Sequence, residues 1–97
     1  MGYSIRRVDD NQAEIVQALR KAGATVQPLH TIGQGCPDLL CAFRQVNFLL
    51  EVKDGSKPPS ARKLTPDEAR WIGDWRAPVY IVTNALEAVG LLQQIAR

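Results

Sequence analysis

The sequence is poor in several residue types, and each scarcity excludes a class of protein. Its 97 residues include two cysteines, one histidine and one methionine, whereas a secreted domain built on disulfides normally has more cysteine. Cys36 and Cys41, even with His30, lack the fourth soft ligand and the spacing of a structural zinc site. No apolar run approaches the roughly 18 residues of a membrane-spanning helix, and the N-terminal residues lack the apolar segment of a secretion signal. We therefore expect a protein of the reducing cytoplasm that is not associated with a membrane.

The residues that are present have the proportions of an ordinary globular domain. Hydrophobic residues make up 45% and charged residues 23% of the chain, unlike the composition of disordered proteins. A chain of 97 residues has room for one hydrophobic core, so residues 1–97 are expected to form a single domain.

The net charge of +2 is too small to indicate a nucleic-acid partner by itself, but the charge is unevenly distributed. Between positions 53 and 63, four cations are opposed by a single carboxylate, Asp54. The cations are Lys53, Lys57, Arg62 and Lys63. Pro58 and Pro59 lie in the same stretch, which is therefore predicted to be a basic loop.

Hydrophobic periodicity in the first half of the chain predicts a helix and three strands. Apolar residues at helical spacing between positions 15 and 22 predict a helix that Asp9 or Asp10 caps and Gly23 ends. A weak strand at 24–29 and a glycine-rich turn at 31–37 follow. The apolar runs 38–43 and 46–53, separated by two polar residues, predict a hairpin of largely buried strands.

The second half predicts a helix, a strand and a helix. Thr65-Pro66-Asp67-Glu68 combines a cap, a proline at the first helical position and a glutamate three residues after the cap, which is a strong helix start. The β-branched run 79–83 predicts the last strand, and Asn84 caps the final helix. The complete pattern predicts an α/β domain with a small mixed sheet flanked by helices, in the order α-β-β-β-α-β-α.

Trp71 and Trp75 are four residues apart in the predicted helix that follows the basic loop. This spacing favours core packing or a subunit interface over base stacking.

The most specific chemical feature is Pro37-Asp38 followed thirteen positions later by Glu51-Val52-Lys53. Side chains alternate along a strand, so Glu51 and Lys53 share one face, and the hairpin can bring Asp38 beside them. Carboxylates at the ends of apolar strands are costly to bury unless a cation compensates them. Oxygen ligands of this type suit Mg²⁺ or Mn²⁺.

These residues suggest hydrolysis of a phosphodiester. A bound metal ion can activate water, and Lys53 can orient that water or stabilise negative charge in the transition state. Glu14, on the first helix, is expected to reach the same cavity. The turn Gly33-Gln34-Gly35 would allow the backbone to approach a phosphate closely. Lys57, Arg62 and Lys63 adjoin this site and are predicted to contact DNA.

Taken together, the pattern resembles the PD-(D/E)xK nuclease superfamily and, within it, the virus-type replication-repair nuclease (VRR-NUC) domains. The resemblance implies a restriction-endonuclease-like core in which Lys53 is the catalytic lysine. It implies four metal ligands: Glu14, Asp38, Glu51 and the main-chain carbonyl of Val52. It further implies a homodimer in a bacterial or phage-infected cell that cuts branched DNA, such as a Holliday junction. Many members carry glutamine in the helix after the basic loop, where this chain has Asp67-Glu68, so the resemblance does not support a polar role for that helix.

Three alternatives remain open at this point. A non-catalytic DNA-binding module could have the same fold, and a nuclease of this type could act on flaps or on linear duplex. Reading of linear duplex would require additional base-contacting elements, which 97 residues hardly accommodate. His30, just ahead of the glycine turn, is expected to be structural or to contact a phosphate.

Overall fold

The structure, a computed structural model, describes residues 9–95 and has the predicted order of elements. The helices are α1 (Gln12–Lys21), α2 (Pro66–Asp74) and α3 (Ala85–Ile95), and the strands are β1 (Thr25–Pro28), β2 (Leu39–Phe43), β3 (Val46–Val52) and β4 (Val79–Val82). One additional 3₁₀ turn, Pro59–Arg62, lies in the basic loop. None of the helices within the described range has the length and hydrophobicity needed to cross a bilayer.

The four strands form one mixed sheet in the order β1-β2-β3-β4. The pairs β1-β2 and β2-β3 are antiparallel, whereas β3 and β4 run parallel. The parallel pair requires a crossover, which the basic loop and α2 supply between β3 and β4. The prediction of a small mixed α/β sheet with helices is therefore confirmed.

The β2-β3 hairpin brings the two acidic segments together. Its turn residues Arg44 and Gln45 both have positive φ, 48° and 73°, as a two-residue hairpin turn requires. The register pairs Phe43 with Val46 at the turn and Leu39 with Leu50 at the other end. Position 38 is therefore placed opposite position 51, just beyond the last pair of the ladder.

One face of the sheet carries the hydrophobic core. Alternate β3 residues, Phe48, Leu50 and Val52, pack with Ile15 and Leu19 of α1 and with residues of α3. Glu51 lies between two of these positions and so points to the opposite face. The alternation explains how an apolar strand can bury a core on one side and present a carboxylate on the other.

The start of α1 differs from the prediction that Asp9 or Asp10 caps it. Asn11 occupies the N-cap position, and no side-chain cap hydrogen bond is formed there. Instead the Asn11 side-chain amide donates to the carbonyl oxygens of Lys53 at 3.2 Å and Thr83 at 3.0 Å. Asn11 therefore ties the beginning of α1 to the ends of β3 and β4.

The opposite face of the sheet is partly covered by the end of α2. Trp71 and Trp75 stack with ring centroids 4.6 Å apart, and both line an apolar cleft of about 580 Å³ together with Leu40 and Leu49. Trp75 is 48% exposed, so it is not a core residue. The spacing of the tryptophans thus produces a stacked pair at the surface of the protein.

Cys41 is expected to resist alkylation in the folded protein. It is buried in the core, and burial raises the pKa of its thiol to about 12, so at about pH 8 only about one thiol in ten thousand is the reactive thiolate. Iodoacetamide labelling followed by peptide mass spectrometry should modify Cys41 only after denaturation. Labelling of the native protein at the denatured rate would show that β2 is not packed as described.

Candidate active site

A polar cleft of about 470 Å³ lies at the end of the β2-β3 hairpin away from its turn. It contains six of the residues predicted to form the site: Gly33, Gln34, Gly35, Asp38, Glu51 and Lys53. Four residues that were not assigned to the site also line it: Asp9, Thr65, Asp67 and Glu68. The cleft therefore lies where the hairpin, the glycine turn, the start of α2 and Asp9, just before α1, come together.

Asp38 and Glu51 are both withdrawn from solvent, with exposures of 4% and 1%. The Asp38 carboxylate accepts a hydrogen bond from the Val52 backbone amide, with 2.7 Å between Val52 N and Asp38 Oδ2. The Asp38 backbone carbonyl accepts a second bond, from the Leu29 amide at 2.8 Å. Both the side chain and the main chain of Asp38 are thus held at the end of the hairpin.

Lys53 is held at its backbone and at its side chain. Its amide donates to the Val82 carbonyl at 2.9 Å, which continues the β3-β4 pairing past the end of β3. Its ammonium nitrogen lies 2.8 Å from Glu68 Oε1 and 3.6 Å from Glu51 Oε2. The predicted meeting of Asp38, Glu51 and Lys53 in one cavity is therefore found.

The surroundings of Lys53 keep it cationic. Burial by itself would lower the pKa of this amine, but the hydrogen bond and the charge of Glu68 raise it, assisted by the charges of Glu51 and Asp9. The net effect is a pKa above the ordinary lysine value. Lys53 is thus an ammonium at neutral pH, able to donate hydrogen bonds and stabilise negative charge but not to accept a proton.

Glu68 is the residue that the sequence analysis missed. It was expected to act only as a helix-capping glutamate, and the capping box is present: the Glu68 amide donates to Thr65 Oγ1 at 3.2 Å and the Thr65 amide to Glu68 Oε1 at 2.8 Å. The same oxygen also binds Lys53. This contact was not anticipated, because it forms only when folding places the first turn of α2 against the end of β3.

Burial raises the pKa of Glu68, but the hydrogen bonds from Lys53 and from the Thr65 amide outweigh it and lower the pKa below the ordinary value. The carboxylate is therefore ionised at neutral pH and forms a charge-assisted hydrogen bond with the ammonium.

The glycine turn lies close to the start of α2. Residues 33, 34 and 35 have consecutive positive φ values of 72°, 57° and 83°. A Cβ on Gly35 would overlap the carbonyl of Asp67 and lie 2.9 Å from the Glu68 nitrogen, whereas one on Gly33 would meet nothing within 4 Å. Glycine at 35 is thus required by the packing of α2, a reason that differs from the predicted approach to a phosphate.

Glu14 does not reach this cleft. It is exposed on α1 and lines a neighbouring cleft of about 390 Å³ with Asp10, Asn11 and Asp54 among others. Ile15, the next residue, faces the core, and successive helix residues are about 100° apart, so Glu14 points elsewhere. Asp9, half-buried just before α1, is the acidic residue that this segment contributes to the cleft.

The predicted set of three carboxylate ligands is accordingly not assembled. Within residues 9–95, no three His, Cys, Asp or Glu side chains are grouped so as to hold a metal ion. Asp38 and Glu51 nevertheless provide two buried carboxylates in one cleft. Mg²⁺ is commonly bound by one or two carboxylates together with waters and substrate phosphates, so this pair of donors fits such an ion.

The predicted DNA-contacting cations Lys57, Arg62 and Lys63 do not line the cleft. Lys63 is exposed, Arg62 is half-buried at the end of the 3₁₀ turn, and the Lys57 ammonium lies 3.8 Å from Asp10 Oδ2. His30 is half-buried and does not line the cleft.

Comparisons with protein-family models, curated proteins and solved structures gave no match. The arguments for a function therefore come from the residues of this cleft.

Proposed function

We propose that this chain is a metal-dependent endonuclease that hydrolyses phosphodiester bonds in branched DNA. One observation carries the proposal: two buried carboxylates, Asp38 and Glu51, share a cleft with the ammonium of Lys53. Buried carboxylates of this kind call for a cation, and a fixed ammonium beside them provides positive charge where a phosphate would gain negative charge.

The proposal includes membership of the VRR-NUC family with a restriction-endonuclease-like core. It is supported by the spacing of Pro37-Asp38 and Glu51-Val52-Lys53 on a β-hairpin, and by a small mixed sheet with three helices. Asp9, and not Glu14, is proposed as the acidic residue that the segment around the start of α1 contributes to this cleft.

The residues of the cleft have separable roles in this reaction. Asp38, Glu51 and the Val52 carbonyl would hold Mg²⁺ or Mn²⁺, which supplies an activated water and neutralises charge on the leaving oxygen. Hydrolysis forms a bond from a water oxygen to phosphorus while the bond to one sugar oxygen breaks; the water loses one proton to solvent, and the departing sugar oxygen takes up one proton and leaves as an alcohol. Lys53 stabilises the negative charge that accumulates on the phosphate oxygens during this exchange.

Binding of the DNA backbone is assigned to the basic loop and the glycine turn. Lys57, Arg62 and Lys63 would contact phosphates flanking the cleft, a role suited to cations and independent of base sequence. A homodimer belongs to the proposal because two symmetry-related sites can make paired cuts across a four-way junction.

The decisive experiment compares cleavage of four-way-junction, flap and linear duplex DNA of matched sequence, with Mg²⁺, with Mn²⁺ and with a chelator. Metal-dependent cutting of the junction, with its linear arms left intact, is the expected result. Preferential cutting of flaps or of linear duplex would show that one of these, and not the four-way junction, is the preferred substrate. Binding of junctions without any product would instead identify a non-catalytic DNA-binding module.

Asp38→Asn serves as the matched variant in this experiment. Asparagine retains the size of the side chain and an oxygen that can accept from the Val52 amide, but it lacks the charge. We expect a loss of about 10- to 100-fold in Mn²⁺ affinity by calorimetry, which is the size of loss that substitutions around metal sites cause. Unchanged Mn²⁺ binding would remove Asp38 from the set of ligands.

A further inference from the structure

We propose that Glu68 is a positioning residue of this site, which fixes the Lys53 ammonium by tying it to the first turn of α2. The inference rests on the proposed nuclease function and extends it to a residue that neither the motif nor the resemblance assigned to the reaction.

The geometry of one oxygen atom is the basis of the proposal. Glu68 Oε1 accepts from the Lys53 ammonium and from the Thr65 backbone amide, both at 2.8 Å. Thr65 in turn accepts from the Glu68 amide through its hydroxyl. Because Glu68 is bound to Thr65 through both its carboxylate and its backbone amide, the carboxylate cannot follow a moving lysine without opening the start of α2.

Burial strengthens this restraint. The side chains of Lys53 and Glu68 are only 10% and 9% exposed, so water competes little for either charge and the attraction is stronger than at the surface. A lysine side chain has four rotatable bonds and would otherwise sample many positions. Glu68 therefore limits the conformations that Lys53 can adopt.

The Lys53 ammonium lies closer to Glu68 than to Glu51. Lys53 Nζ stands 3.6 Å from Glu51 Oε2, compared with 2.8 Å from Glu68. Without Glu68, the nearest partner for the ammonium would be the Glu51 carboxylate, which is itself a proposed metal ligand. Glu68 thus holds the ammonium at hydrogen-bond distance, while the ion pair with Glu51 stays longer.

The start of α2 is itself anchored. Gly35 packs so closely on Asp67 and Glu68 that a side chain at position 35 would overlap their backbone. The restraint on Lys53 is therefore continuous from the glycine turn through the capping box to the ammonium.

The chain offers a matched control at the start of α3. Glu87 also lies three residues after its helix cap, its amide donates to Asn84 Oδ1, and its carboxylate accepts from the amide and hydroxyl of Thr83. It does not line the polar cleft. Glu87→Ala removes the same kind of capping carboxylate without touching Lys53.

The test measures single-turnover cleavage of the junction, at saturating DNA and metal, by wild-type, Glu68→Ala, Glu68→Gln and Glu87→Ala proteins. Displacement of a reacting group by about 1 Å costs on the order of 100-fold in rate, and Glu68→Ala is expected to show a loss of about that size. Glu68→Gln, which keeps an acceptor oxygen, should recover to within about tenfold of wild type. Glu87→Ala should cut within about twofold of wild type.

A second measurement follows Lys53 directly and does not depend on cleavage. Reductive methylation, read by peptide mass spectrometry, should modify Lys53 about tenfold faster in Glu68→Ala than in wild type, because one strong hydrogen bond is worth about a factor of ten. Glu87→Ala should label Lys53 at the wild-type rate. If Glu68→Ala is too unstable to assay, Glu68→Gln is labelled instead; it keeps an acceptor but loses the charge, so Lys53 should react at a rate between those expected for wild type and Glu68→Ala.

The outcomes separate the two proposals. A wild-type protein that cuts no DNA would overturn the proposed function and the positioning role with it. An active wild type with an equally active Glu68→Ala, equal losses in Glu68→Ala and Glu87→Ala, or unchanged labelling of Lys53 would overturn only the role of Glu68.

Discussion

Lys53→Ala protein is expected to cut four-way-junction DNA about 100- to 1000-fold more slowly than wild type, the cost of removing one preorganised group that stabilises transition-state charge. Lys53 is the ammonium that lines the polar cleft together with both buried carboxylates. Its raised pKa keeps it charged throughout the neutral range, so the loss should be similar across that range. The loss is measured by comparing the single-turnover cleavage rates of the two proteins at saturating DNA and metal.

The substitution also affects stability, which has to be separated from chemistry. Removing one partner of a buried ion pair leaves the other charge uncompensated, at a cost of about 3–5 kcal/mol when the pair is fully desolvated. Denaturant unfolding of the variant, together with assays at temperatures well below its unfolding midpoint, separates the two effects. Lys21→Ala, at an exposed position of α1, is the control for removal of a lysine. Cutting by Lys53→Ala at the Lys21→Ala rate would exclude Lys53 from the mechanism.

Gly35→Ala is expected to destabilise the protein by about 3 kcal/mol, combining the cost of a left-handed residue with that of overpacking. The added Cβ would overlap the carbonyl of Asp67 at the start of α2, and backbone atoms cannot rotate away as a side chain can. Because α2 carries Glu68, displacement of its first turn should also loosen Lys53 and reduce cleavage. Urea unfolding measures the first effect and the single-turnover rate the second.

Gly33→Ala is the matched control for this substitution. Gly33 has a similar positive φ of 72°, but a Cβ there would meet nothing within 4 Å. Only the conformational cost remains, about 1–2 kcal/mol, and the same urea unfolding measures it. Equal losses of stability in the two variants would show that close packing of Gly35 on α2 is not the cause.

Much of the fold was predictable because it depends on local pattern. The capping box at Thr65 was expected from four consecutive residues and is present, and the hairpin turns at Arg44 and Gln45 as predicted. The convergence of Asp38 with Glu51 and Lys53 follows from two local properties, side-chain alternation along β3 and the hairpin connection. Both are properties of neighbouring residues, so they can be derived before the fold is known.

The remaining features of the site depend on how distant segments dock. Whether Glu14 or Asp9 enters the cleft depends on the rotation of α1 against the sheet, which is decided by burial of Ile15 and Leu19. An acidic residue near a helix start is visible in the sequence, but its direction relative to a strand forty residues away is not. The prediction for Glu14 failed for this reason.

The element order, the mixed α/β class and the cluster of Asp38, Glu51 and Lys53 can be derived from the amino-acid sequence alone, since each follows from periodicity or spacing within a short stretch. The contact of Glu68 with Lys53 and the need for glycine at position 35 are visible only in the folded chain. Both contacts form because the crossover between β3 and β4 returns α2 to the end of the hairpin. Such contacts arise from packing between segments, where the position of one backbone determines the space and the charge that another encounters.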